Sequence, residues 1–185
     1  MPPVRAAREK CKPNAPMSSK RNGPLLKPEE VLARYSAGPK EGVFTDGACE
    51  GNPGPGGWAY VWVEGDRVRS ERYGSDPATT NNRMELTALV EAYRALPEDA
   101  RVTVHSDSEI CVKTINEWAA GWERRGWRRK SGPIANLELV QTLWRLAQSH
   151  RNVSLVWIRA HDGSRWNEYV DALANSFLRE REAKR

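Results

Sequence analysis

The chain predicts an α/β fold: a five-stranded mixed sheet, three antiparallel strands followed by parallel ones, with helices on both faces. Two observations carry the prediction. Three extended segments follow one another between residues 42 and 74, joined by glycine- and proline-rich connections that do not hold a helix, so they pair as hairpins. Two more, at 101–106 and 153–158, are each reached through a helical stretch, the crossover that parallel pairing requires. A length of 185 residues allows one real core with appendages and no second catalytic domain.

Residues 1–24 contain six Lys or Arg and a single acid, Glu9, a composition that cannot bury enough apolar surface to order itself. Pro28 to Tyr35 reads as one short helix, with Pro at its first position, Glu29 and Glu30 in its first turn and Gly38 past its end. Residues 1–41 are therefore expected to form a basic, largely flexible extension, and residues 42–182 the folded domain. In that domain Val43-Phe44-Thr45 is an apolar run that is expected to stop on Asp46, where it enters the loop Gly47–Gly57. Trp58–Val63 is rich in aromatic and β-branched residues and reads as the second strand. Glu64-Gly65-Asp66 turns it into the third, Arg67–Gly74.

The spacing of Leu86, Leu89, Val90, Tyr93 and Leu96 predicts a helix over Asn82–Leu96, stopped by Pro97. Arg101–Ser106 alternates around Val102 and Val104 and runs into Asp107, and Val153–Ile158 is expected to be a buried strand. Trp166, Val170, Leu173 and Phe177 mark one amphipathic helix, Trp166–Leu178.

A net charge of +5 and a pI near 9.3 favour a polyanionic partner without requiring one. Cys11, Cys49 and Cys111 are odd in number and lack C-x-x-C spacing, so neither a disulfide framework nor a zinc site is indicated, and a reducing compartment is expected. With no apolar run near the roughly 18 residues of a membrane span, the expectation is a soluble cytoplasmic protein with no membrane partner.

Four carboxylates stand out by position. Asp46 and Asp107 each follow an apolar run; if those strands are parallel neighbours, their ends lie about 4.8 Å apart, and two like charges so close are costly unless a cation binds between them. Either aspartate alone is equally well explained as a turn or helix cap. Glu85, three residues after Asn82, fits a capping box, and Asp171, one turn beyond Asn167, fits a solvated helix flank.

Taken in order, these segments resemble the type 1 ribonuclease H family motif for motif. Thr45-Asp46-Gly47-Ala48-Cys49 with Gly51-Asn52-Pro53-Gly54 is similar to its first-strand signature, and Thr79-Thr80-Asn81-Asn82-Arg83-Met84-Glu85-Leu86 to its first-helix signature. Ser106-Asp107-Ser108 resembles its fourth-strand signature, and His161 with Asn167-Glu168 and Asp171 its C-terminal one. The resemblance covers about Gly42 to Leu178. It implies a catalytic domain that hydrolyses the RNA strand of an RNA–DNA hybrid, leaving 3′-hydroxyl and 5′-phosphate ends. The implied cofactor is two Mg2+ ions, with Mn2+ as substitute, held by Asp46, Glu85, Asp107 and Asp171. The residue types suit this: hard dications prefer carboxylate oxygen, and a metal pair about 4 Å apart activates a water and stabilises the leaving oxygen.

A lone loop histidine is ordinarily just solvated. The ten-residue spacing from His161 to Asp171 matches the family pattern, however, which implies a role in proton transfer or product release. Two departures accompany it: Ala160 stands where a glycine is common, and Asp162 adds an acid expected to act on His161 by its charge.

Trp118 to Lys130 interleaves three tryptophans with five cations and resembles the basic protrusion of bacterial members, which holds the DNA strand. Trp118 and Trp122, four apart, are expected to share a helix face and pack inward. Trp122, Arg125, Trp127 and Arg128 are the protrusion's candidate contacts. By the same resemblance Cys49, Asn52 and Asn81 face the minor groove and its 2′-hydroxyls, Thr80 and Arg83 a DNA phosphate, and Asn167 joins the substrate set. Glu109 stands where an amide is commoner; it accepts from a 2′-hydroxyl but cannot donate.

Two other readings use the same fold: a hybrid-binding module without catalysis, and a transposase or exonuclease acting on DNA. The full set of acids argues against the first, and the glycine loop with Asn81-Asn82-Arg83 against the second. A monomer with no obligate protein partner is expected. The extension is shorter than the hybrid-binding module some members carry and has no aromatic residue before Tyr35. Removing residues 1–36 is therefore expected to flatten the salt dependence of binding and leave saturated turnover unchanged.

Overall fold

The computed structural model describes residues 25–129 and 131–183; the basic tail 1–24, with Cys11, and Lys130 lie outside them. Five strands, β1 (Gly42–Cys49), β2 (Gly54–Glu64), β3 (Arg67–Thr79), β4 (Val102–Ser106) and β5 (Val153–Trp157), form one sheet in the order β3-β2-β1-β4-β5. β1, β2 and β3 pair antiparallel, and β1, β4 and β5 run parallel, the expected mixed sheet. The helices are α1 (Pro28–Arg34), α2 (Asn81–Ala95), α3 (Glu109–Lys113), α4 (Ala119–Arg124), α5 (Leu137–Ser149), α6 (Arg165–Ala174) and α7 (Ser176–Ala183), with a π-helical turn, Thr114–Trp118, between α3 and α4.

Strand alternation sends side chains to opposite faces and builds two cores. Val43, Tyr60, Trp62 and Val104 pack under α2 and α5 with Leu89, Tyr93 and Leu143. Phe44, Ala59, Val61 and Val63 pack on the other face against Trp166, Val170 and Phe177 of α6 and α7. Phe44 is wholly buried, a burial that contributes roughly 2–3 kcal/mol. Helix α1, on the far side of the boundary drawn at residue 41, adds Val31 to this second core and packs against α6.

Several element ends differ from the sequence expectation. β1 does not stop at Asp46; it continues to Cys49 because its pairing with β2 persists, and only its parallel pairing with β4 ends, at Thr45–Ser106. Gly54–Gly57 accordingly belongs to β2, and β3 follows it out to Thr79. The hairpin turn is the two residues Gly65 and Asp66, both at positive φ (56° and 62°). β5 is an edge strand: Leu155 is buried, but Val156 and Trp157 are exposed, because β5 has a neighbouring strand on one side alone. The C-terminal helix breaks at Asn175. No helix among the described residues is long and apolar enough to cross a membrane.

Candidate active site

The site forms where β1 and β4 part. Beyond Thr45–Ser106 the two strands no longer bond, and the next residue of each is an aspartate, Asp46 and Asp107. Glu85 is brought to them by α2, whose N-cap is Thr80: its Oγ1 accepts the Arg83 amide at 3.3 Å. The expected capping box of Asn82 with Glu85 is absent, since Glu85 lies past the capped turn and its carboxylate instead accepts from the Gly47 N–H and from Asn81 Nδ2 at 3.4 Å. Gly47 is what permits this approach, because a Cβ there would lie 2.2 Å from the Glu85 nitrogen.

Ligand atoms of Asp46, Glu85 and Asp107 all lie within 4.8 Å of one another, and those of His161, Glu168 and Asp171 form a second such group. The Asp46 carboxyl, which Asp171 also acts on, joins the two groups. Asp46 and Glu85 are each 6% exposed. Burial, then the charges of Asp107, Asp171 and Glu85, pushes Asp46 well above the usual carboxylate range. Burial and the Asp107 charge do the same to Glu85, against its hydrogen bonds from Gly47 and Asn81. Asp107 is pushed up to about 6 by burial and Asp171, opposed by a hydrogen bond from Asn167 and the charge of His161. Asn175 Nδ2 donates to Asp171 at 3.1 Å.

The set has the chemistry of a divalent-cation site. Carboxylates crowded in a low-dielectric pocket destabilise one another until a cation neutralises them. Glu85 Oε2 is buried with no hydrogen-bond partner among the described residues, an acceptor that a hard cation would satisfy.

His161 sits at φ 51°, with Nδ1 3.9 Å from Glu168 Oε2. Asp162, expected to act on it, is turned to the Ser164 amide, which donates to its Oδ1 at 3.0 Å. Glu168 is the carboxylate paired with His161, and its signal was the three-residue step to Asp171 on α6. Trp157 was also missed: its indole N–H donates to the Asp107 carbonyl at 3.1 Å, fixing the main chain of that aspartate.

The residues proposed to meet substrate fall into two groups. Around the pocket, Asn52 Oδ1 accepts the Asn81 amide at 3.3 Å, and the Cys49 thiol faces the Gly54 and Thr79 carbonyls, with burial raising its pKa. Asn167 is buried on α6. Arg83 pairs with Glu138 of α5, and Glu109 with Lys113 one turn on at 2.7 Å. In the protrusion, Arg125 and Arg128 are exposed, while Trp122 and Trp127, the latter at φ 60°, are partly buried on the first core. Trp118 does not pack inward as expected. The π-helical turn rotates it outward to 37% exposure, its ring 5.9 Å from that of Trp122.

Residues 39–179 match the sequence model of the RNase H family. The chain is 50% identical over 139 residues to a ribonuclease H of Halorhodospira halophila, covering 75% of this chain and 92% of that protein. It is 48% identical over 134 residues to one of Herminiimonas arsenicoxydans, covering 72% and 90%. Among solved structures it resembles LC9-RNase H1, a type 1 RNase H with the type 2 active-site motif, at TM-score 0.60 and 33% identity over 76% of this chain and 74% of that one. It also resembles LC11-RNase H1 in complex with RNA/DNA hybrid, at TM-score 0.53 and 25% identity over 74% and 97%.

Proposed function

The chain belongs to the RNase H family, and from that premise we propose that it is an endoribonuclease hydrolysing the RNA strand of RNA–DNA hybrids to 3′-hydroxyl and 5′-phosphate ends. One observation carries the reading: Asp46, Glu85 and Asp107 meet at the parting of two parallel strands, and the buried Glu85 Oε2 has no partner among the described residues. The relative LC11-RNase H1, solved in complex with RNA/DNA hybrid, supports the substrate class.

Asp46, Glu85, Asp107 and Asp171 would hold two Mg2+ ions, or Mn2+ in their place. When bound, these ions supply Lewis acidity, lowering the pKa of an attacking water and neutralising the leaving oxygen. The chain's own groups set the rest. Asn81 and the Gly47 amide orient Glu85, and Asn167 favours the ionised form of Asp107. His161, beside Glu168 at the open side of the pocket, accepts or returns a proton at a ring nitrogen and helps the product leave. Cys49, Asn52, Asn81 and Glu109 read the 2′-hydroxyl side, with Asn167 alongside, and Thr80 and Arg83 take a DNA phosphate. Thr80 spends only a lone pair on its cap, so its O–H proton stays available to donate. Trp122, Arg125, Trp127 and Arg128 hold the DNA strand farther along.

We assign the catalytic domain to residues 42–182 and the basic extension to 1–41. All proposed ligands come from one chain, which favours a monomer, and the free thiols Cys49 and Cys111 suit a reducing cytoplasm.

The test is purified protein with Mg2+ or Mn2+ on end-labelled RNA–DNA hybrid, duplex DNA and duplex RNA. Cleavage confined to the RNA of the hybrid, and lost in Asp46→Asn, is expected; an uncut hybrid with both metals overturns the proposal.

A further inference from the structure

The segment ahead of the family match, which starts at residue 39, is fastened to the loop that carries His161. Val31 of α1 is 2% exposed against α6. The Arg165 amide, at the start of α6, donates to the Ala37 carbonyl at 2.8 Å, and Ala37 and Ser164 form a parallel bridge. Gly38, at φ 91°, lies so close that a Cβ on it would come within 2.3 Å of Ser164 Oγ. The Arg165 guanidinium also reaches the Leu32 carbonyl at 3.4 Å. From the other side the loop is held by Glu168, which accepts the Gly163 amide at 3.3 Å.

We propose that Pro28–Gly38 is a strap that positions His161 and the first turn of α6 over the carboxylate pocket. His161 and Gly163 both occupy left-handed backbone, at φ 51° and 83°, so the loop between β5 and α6 has no regular pairing of its own to define it. Ala37 supplies that pairing, and the hydrophobic seat of Val31 fixes Ala37. The strap acts through Ser164 and Arg165. It therefore changes turnover by misplacing a proton-carrying group, and leaves the phosphate and minor-groove contacts that set binding untouched. This contradicts the expectation that residues 1–36 could be removed without loss of saturated turnover.

The inference rests on the ribonuclease reading above, so its test carries a readout independent of activity. Gly38→Ala, Val31→Asp and the exposed-site control Glu29→Ala are made in the full chain, with kcat and KM on hybrid and hydrogen exchange at the Arg165 amide measured for each. Gly38→Ala and Val31→Asp are expected to lower kcat about tenfold, with KM within about twofold, and to speed exchange at Arg165 while β1 amides are unchanged. Glu29→Ala is expected to match wild type. Unchanged Arg165 exchange in Gly38→Ala overturns the strap, and faster exchange with unchanged kcat overturns its positioning role. If Val31→Asp does not fold, Gly38→Ala decides. A wild-type chain that cuts no hybrid defeats the ribonuclease reading instead, and exchange at Arg165 still judges the strap.

Discussion

Gly47 meets the main chain of Glu85 at a separation no side chain tolerates: a Cβ would lie 2.2 Å from the Glu85 nitrogen and 2.4 Å from the Met84 carbonyl carbon. The contact seats the first turns of α2 on β1 and carries Glu85 to Asp46. Because both partners are backbone, neither can rotate away.

Gly47→Ala is therefore expected to cost roughly 3 kcal/mol and to displace α2, lowering Tm by several degrees. The residual folded protein should show hybrid cleavage reduced at least a hundredfold, since Glu85 leaves the pocket. Chemical denaturation and single-turnover cleavage check the two effects. Wild-type stability would contradict the packing argument.

The carboxylates make stability fall as pH rises. An ordinary Asp titrates near 3.8, and burial with the Asp171 charge pushes Asp107 up to about 6. Between these values the folded chain holds more protons than the unfolded one, so folding is favoured below the window and the advantage is lost through it. Asp107 alone accounts for on the order of 2 kcal/mol, allowing for its partial exposure. Asp46 and Glu85 act with the same sign. Tm in chelator should drop from pH 4 to pH 7, and Mg2+ should restore it mainly at the upper end. Asp46→Asn removes one charge at nearly constant shape, so at pH 8 in chelator it should raise Tm by a few degrees while lowering cleavage about a thousandfold. A Tm in chelator that is flat across this range counts against the crowded-carboxylate picture.

Arg83 is assigned to a DNA phosphate, yet in the free chain it pairs with Glu138, and the two side chains are 40% and 62% exposed. Such a pair is worth under about 1 kcal/mol, so a phosphate competes with it easily. Glu138→Gln should lower KM about two- to threefold at low salt and steepen the salt dependence of binding by up to about one unit of slope, leaving kcat alone. Titration of hybrid affinity against salt decides it; an unchanged slope places Arg83 off the phosphate path.

The parts of this molecule that were legible in the sequence are those written in special residues. Pro97 punctuates an element, Val43-Phe44-Thr45 leads into Asp46, and the spacing of Leu86, Leu89 and Tyr93 repeats at helical period, so strand order and the carboxylates' places followed. What stayed hidden depends on contacts distant in sequence. Nothing local says that Val31 will seat on α6, or that β5 will lie at the sheet's edge with Trp157 exposed. Trp118 was misplaced because a π-helical turn, with no signature in its residues, ends on it and leaves it exposed although its ring still meets that of Trp122.

Asn167 joins the two halves of the site. It is 2% exposed on α6, and its side chain hydrogen-bonds the Asp107 carboxylate across the gap from β4, which favours the ionised form and holds Asp107 below where burial and Asp171 would otherwise carry it. A cation binds the ionised form, so losing this bond penalises metal binding most where Asp107 is partly protonated. In Asn167→Ala the Mg2+ concentration for half-maximal cleavage should rise about tenfold at pH 6 and only two- to threefold at pH 8, and the acid limb of the pH–rate profile should move upward. Metal titrations at the two pH values separate this from a general loss of packing, which would raise the requirement equally at both.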